Sequence, residues 1–144
     1  MTTLVVGVDF SKPSKKALDA AVVLAKQLEG SLVLVYAGTP LPLGSKRGHL
    51  DAVTELQAEI DADEVQRLST TWAKQASKSV QVEVVTRAGK PADVVLAVAK
   101  ARKALYVVVG SRGHSGIKRA VLGSVAQAVL RDSPIPVLVV PATG

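Results

Sequence analysis

Short apolar runs alternate along the chain with longer stretches of helical spacing. Residues 3–10, TLVVGVDF, form a Val-rich run that reads as a strand. From Ser11 to Leu28, the residues Leu18, Ala21, Val22, Ala25 and Leu28 recur at helical spacing. Ser11 is placed to cap that helix, Pro13 falls in the tolerant first turn, and Gly30 suits its end. Ser31 to Ala37 is a second strand. An irregular piece follows from Gly38 to Gly48, GTPLPLGSKRG, which reads as a connector or a lid. A long acidic helix is expected from about Leu50 to Ser77. Val80 to Val85 alternates like a half-buried strand, and Pro91 to Ala101 is a short helix with Val94, Val95 and Val98 inward. Leu105 to Val109, Ser124 to Arg131 and Pro136 to Val140 complete the series as strand, helix and strand.

Such alternation predicts a parallel sheet with helices on both faces and right-handed crossovers. Ligands of these sheets bind beyond the strands' carboxyl ends, where the strand order reverses. Two loops there carry unusual chemistry: VDFSKPS after the first strand, and GSRGHSGIKRAVLGS after the fourth. With neither linker nor repeat in view, the 144 residues are expected to form one domain.

Composition narrows the function. Without cysteine, disulfides and thiolate metal sites are excluded. No apolar run approaches the roughly 18 residues of a bilayer span, and the N-terminus reads as a strand rather than a signal peptide, so a cytoplasmic location is expected. The net charge of +6 is uneven: residues 94–131 hold Lys100, Arg102, Lys103, Arg112, Lys118, Arg119 and Arg131 and no acid. A nucleic-acid surface would explain that excess, but one Trp, one Phe and two Tyr leave little for base stacking. A compact anion such as a phosphate needs fewer assumptions; a solvated basic face is the plainer alternative.

The pattern Gly110-x2-Gly113-x9-Gly123-Ser124 favours the anion. Glycines let main-chain N–H groups approach oxygen atoms closely, and successive N–H groups form concave anion sites. Gly123-Ser124 then opens a helix whose first amides lack partners, a ready seat for phosphate. Arg112, Lys118 or Arg119 would add charge, and four or five charge-assisted bonds allow roughly micromolar affinity. A structural role competes: Ser124-x-x-Gln127 is a capping box, and Gly110 is suited simply to let the chain leave the sheet. The loop is neither a Walker A loop nor a GxGxxG fingerprint. Nor does the chain suit a response regulator, because the third strand runs into VVTRAG without an acid. Asp9, at the carboxyl end of the first strand, suits ribose hydroxyls or a metal on the phosphates, or else orders the turn with Ser11. His114 reads as solvated, His49 carries no signal, and Trp72 reads as packing.

Taken together, VVGVDFSKPSKKAL, GKPADVVLAVA and VVVGSRGHSGIKRAVLGSVAQAVLRDSPIPVLVV resemble the universal stress protein family over essentially the whole chain. The resemblance implies a five-stranded parallel sheet in the order 3-2-1-4-5, Rossmann-like and of the adenine nucleotide alpha hydrolase type. It implies ATP as ligand, with Mg²⁺ on its phosphates. The nucleotide-binding set so implied is Val8, Asp9, Ser11, Tyr36, Gly110, Arg112, Gly113, Gly123, Ser124 and Val125. Within it, Gly110 would lie by the ribose, and Gly113, Gly123 and Ser124 would hold phosphates. Asp9 would face the ribose and Mg²⁺, and main chain near Tyr36 would meet adenine. Tyr36 replaces a small aliphatic residue, so its ring would shield or crowd the base. Leu105 replaces an acid common at that position. The resemblance also implies homodimers paired through the last strand, Val137, Leu138, Val139 and Val140, an edge that would otherwise invite aggregation.

The expected function is an ATP-binding stress or regulatory protein in which nucleotide acts as a conformational signal read by a protein partner. No catalytic residue is assigned. The alternatives are a slow Mg²⁺-dependent ATP hydrolase or phosphotransferase using Asp9, and a nucleotide-free interaction module.

Overall fold

A computed structural model describes residues 2–38, 65–67, 69–112 and 122–142. In chain order these form β1 (Thr3–Val8), α1 (Lys12–Gln27), β2 (Ser31–Gly38) and a helical segment over 65–67 and 69–76 (α2). Then come β3 (Val82–Ala88), α3 (Pro91–Ala101), β4 (Tyr106–Gly110), α4 (Ser124–Asp132) and β5 (Val137–Val140). The five strands make one parallel sheet in the order β3-β2-β1-β4-β5, as the resemblance implied.

Strand periodicity divides the core into two layers. Val5, Val33, Val35, Val107 and Val109 face α3 and α4, packing with Val95, Val98, Ala126 and Val129. Leu4, Val6, Leu32, Leu34 and Val108 face the other way, onto Ala17, Leu18, Ala21 and Ala25 of α1. Because β1 is covered on both faces, Leu4, Val5 and Val6 are all fully buried. That is why the run reads as continuously apolar rather than alternating. Each such side chain contributes about 1.5–3 kcal/mol on burial.

Several element ends differ from those expected. β1 stops at Val8, because Phe10 takes a left-handed backbone (φ 62°) and turns the chain off the sheet. β3 begins two residues late: the Val80 N–H caps the end of α2 by bonding to the Ala76 carbonyl at 3.2 Å. It also extends to Ala88, because β2 runs on to Gly38 and pairs along it. Pro136 lies outside β5, with no N–H to donate, although its carbonyl accepts from Val107 at 3.0 Å. Glu29, not Gly30, is the left-handed residue that closes α1. Gly30 is a glycine for space, since a Cβ there would lie 2.6 Å from the Thr2 carbonyl oxygen. Residues 39–48 of the irregular segment and 50–64 of the expected acidic helix lie outside the described residues.

Candidate functional site

The chain builds β2 and β3 to one side of β1, then β4 and β5 to the other. β1 passes into α1 on one face, and β4 passes towards α4 on the opposite face. Their carboxyl ends therefore part company, and a cleft opens between them. Gly7, Val8 and Asp9, Val35 and Ala37, and Val109 and Gly110 form its floor, and Pro91 and Val95 of α3 form one wall. Arg112 and the run from Gly123 to Ala126 border the remainder. The cleft itself is narrow, with a volume of about 160 Å³, and it opens to solvent at its mouth. Gly7 sets its depth, because a Cβ there would meet Val95 Cγ2 at 2.9 Å.

One border is the β1–α1 turn, where polar groups satisfy one another. Asp9 Oδ1 accepts from the Ser11 N–H at 3.0 Å and from the Ser11 hydroxyl. Ser11 caps α1 as expected, its Oγ accepting from the Ser14 N–H at 3.3 Å. Ser14 donates its own hydroxyl to the Ser11 carbonyl at 3.1 Å and accepts from the Asp9 N–H at 3.3 Å. Both serines are buried, so leaving any of these groups unpaired would be costly. Asp9 thus orders the turn with Ser11, and from there it borders the cleft.

The opposite border joins the end of β4 to the start of α4. The Gly123 N–H donates to the Ser111 carbonyl at 2.7 Å, so the two ends of the glycine-rich stretch meet. Ser111 is also tied to the end of β5 and to the residues just after it. Its N–H donates to Val140 at 2.9 Å, and its hydroxyl accepts from the Ala142 N–H at 3.0 Å. Gly123 is the N-cap of α4, and among the described residues no side chain caps the helix. The expected capping box does not form. Its register is off by one, because Ser124 is already the first helical residue and Gln127 turns its amide to the Leu122 carbonyl at 2.7 Å. The first amides of α4 have no partner within the helix, and Ser124 lies exposed beside them at the cleft. Gly110 eases a close approach: a Cβ there would lie 3.1 Å from the Pro13 carbonyl oxygen in α1, tighter than ordinary contact.

Of the expected set, Val8, Asp9, Gly110, Arg112, Gly123, Ser124 and Val125 border this cleft. Ser11 acts behind Asp9 and does not border it. Gly113 lies outside the described residues, as do Lys118, Arg119, His114 and His49. Tyr36 is placed differently from the expectation. Its ring sits on the α1 side with Phe10, 5.2 Å between centroids, and it neither shields nor crowds the cleft. Val35 and Ala37, on the other face of the same strand, border it instead. The signal was period two along β2: with Val33 and Val35 facing α3, Ala37 must follow them and Tyr36 must oppose them. Pro91, Val95 and Ser14 were also missed, for no local pattern reveals which helix starts border a strand end.

Among the described residues no cluster of three His, Cys, Asp or Glu is placed to hold a metal. Among the described residues, Asp9 is the one carboxylate that borders the cleft and could meet a divalent ion there. Charge is perturbed away from the cleft. The Glu83 carboxyl is held below its usual range by its hydrogen bond to Arg102, at the amino end of the sheet. The Arg131 guanidinium is raised by its hydrogen bonds to Asp132. No helix among the described residues is long and apolar enough to cross a membrane.

Residues 1–141 match the Universal stress protein family. Universal stress protein YxiE of Bacillus subtilis is 36% identical over 143 residues, spanning 95% of this chain and 97% of that protein. A universal stress protein solved in complex with cAMP is 32% identical, with a TM-score of 0.69, covering 99% of this chain and 98% of that one. The hypothetical protein MJ0577 shares the fold at 20% identity, with a TM-score of 0.80 over 99% of this chain and 97% of that one.

Proposed function

The chain belongs to the universal stress protein family, and from that membership we propose that it binds an adenine nucleotide, ATP foremost, in the cleft between β1 and β4. The carrying observation is the 2.7 Å bond from Gly123 to Ser111, which sets the uncapped start of α4 beside the end of β4. Open amides at a helix start favour an anion by hydrogen bonding and by the helix dipole together. Arg112 supplies positive charge at the same border, and Val35, Ala37 and Val95 offer an apolar surface to a base. The cAMP complex of a 32% identical universal stress protein supports the adenine nucleotide.

In this reading Ser124 and the first amides of α4 hold phosphate oxygens, with Gly113 completing the cradle. Asp9 faces the ribose and, when Mg²⁺ accompanies the phosphates, provides its protein neighbour. Nucleotide serves as a conformational signal for a protein partner rather than as an efficiently hydrolysed substrate. Hydrolysis calls for a positioned base or water-orienting group, and Asp9 is engaged with Ser11. The protein acts in the cytoplasm as one domain. It pairs as a homodimer through β5, a sheet edge whose Leu138 is 38% exposed.

Calorimetry with ATP on protein verified to be nucleotide-free tests the reading. Saturable heat with a micromolar dissociation constant is expected, weakened in Ser124→Ala. Absence of ATP and AMP binding would instead leave an interaction module whose glycines are structural. Turnover near 1 s⁻¹, the low end of ordinary enzymes, would make the chain a hydrolase.

A further inference from the structure

Among the described residues, three other than glycine have a left-handed backbone: Phe10 (φ 62°), Glu29 (53°) and Lys103 (52°). Two of these have a local cause. Glu29 and Lys103 follow the last turns of α1 and α3. There the bonds Gly30 to Ala25 (2.8 Å) and Ala104 to Ala99 (2.9 Å) close a standard helix end. Phe10 ends no helix. For a bulky aromatic residue that backbone is a genuine outlier, and such strain persists only where the surroundings enforce it.

The enforcement is visible in the ring. Phe10 lies 5.2 Å from Tyr36, tilted by 37°, and 4.8 Å from Trp72, edge-on at 67°. Tyr36 is the register partner of Val8 across β1 and β2. Trp72 belongs to α2, on the face of the sheet away from the cleft, and does not border the cleft. Immediately before Phe10 stands Asp9, which does border it; immediately after stands Ser11, bonded to Asp9 and capping α1. One strained residue thus joins the cleft's carboxylate to a helix on the opposite face.

We propose that Phe10 is a positioning residue whose ring, gripped by Tyr36 and Trp72, holds the turn that aims Asp9 into the cleft, so that nucleotide occupancy and the packing of α2 are coupled. The inference rests on the nucleotide reading above. When the ring loses its grip, the backbone relaxes from the left-handed region and Asp9 moves with it. Binding that needs Asp9 in place therefore strengthens the Trp72 contact. By reciprocity, loosening that contact weakens binding by the same factor.

Trp72 is the only tryptophan, so its emission reports the surroundings of this one ring, the Phe10 contact among them. The full chain is titrated with ATP, read in parallel by calorimetry and by Trp72 fluorescence. The expected result is an emission change that saturates with the calorimetric dissociation constant. Trp72→Leu should bind ATP roughly tenfold more weakly, given the usual cost of left-handed backbone, and Trp72→Phe should restore most of the loss. Two further variants separate backbone from ring, and they keep the test open if Trp72→Leu unfolds. Phe10→Ala keeps the Cβ strain without the ring, whereas Phe10→Gly adopts the left-handed turn freely. Affinity should fall more in Phe10→Ala than in Phe10→Gly. A ring that only fills space predicts equal affinities in both. ATP heat with flat Trp72 emission, or with unaltered affinity in all three ring-removing variants, overturns this coupling and leaves the nucleotide reading intact. No ATP heat in the unmodified protein overturns the nucleotide reading first.

Discussion

Two helices begin at the edge of the same cleft, and they begin differently. At α1 the polar groups close on themselves: Ser11 caps the helix, Asp9 accepts from Ser11, and Ser14 bonds back to both neighbours. At α4 the cap is a glycine, no side chain among the described residues caps the first amides, and Ser124 beside them is exposed. A helix start whose donors are satisfied by its own chain adds to stability and has little left to offer a ligand. A start whose donors are open forgoes about 1 kcal/mol of capping energy and holds an anion seat ready. On the proposed reading, the cleft sets a closed wall carrying one carboxylate against an open wall suited to negative charge.

If that contrast is right, substitutions on the two sides should move different observables. The largest effect is expected at the closed side. Ser11→Ala removes a buried cap and one of Asp9's donors, and should cost about 2 kcal/mol of stability. Thermal melting would register this as a fall of about 6 °C. At the open side, Ser124→Ala should leave the melting temperature nearly unchanged while ATP binding weakens about tenfold, the loss of one charge-assisted bond, measured by calorimetry. A Ser124→Ala protein that is clearly less stable and binds ATP normally would reverse the assignment of the two sides. Ser124→Asp sharpens the contrast by sign. A carboxylate in the first turn stabilises α4 by about 0.5 kcal/mol through the helix dipole, yet repels phosphate, so stability should rise as affinity falls.

The smallest effect is expected far from the cleft. Hydrogen bonding to Arg102 lowers the folded-state pKa of Glu83 from its ordinary 4.5. Its contribution is therefore present above that value and lost as pH falls through the lower folded-state pKa. Both partners are solvent-exposed, where such pairs contribute little. Glu83→Gln should leave melting and ATP binding unaltered between pH 5 and 8. A clear change there would mean that the amino end of the sheet communicates with the cleft.

Much of this organisation was legible in the residues themselves. Strand-forming runs such as Leu4–Val6 and Val107–Val109 are apolar because two helical layers bury them, and the α1 cap at Ser11 is a local device with a local signature. The glycine spacing pointed to Gly110, Gly123 and Ser124, and all three border the cleft; at Gly110 the backbone approaches closely enough to favour glycine. The boundary errors at Phe10 and Val80 arose where a residue serves a turn or a helix end as well as its apolar run. Tyr36 was misplaced although the alternation of its own strand sets it opposite Val35 and Ala37.

Sequence by itself therefore determined the alternation of elements and the apolar layers, because each depends on periodicity within a few residues. Only the tertiary structure decided that Gly123 rather than Ser124 caps α4, and that the ring of a left-handed Phe10 meets Tyr36 and Trp72. Those outcomes depend on contacts between residues far apart in the chain, and no local pattern encodes which distant surfaces will meet.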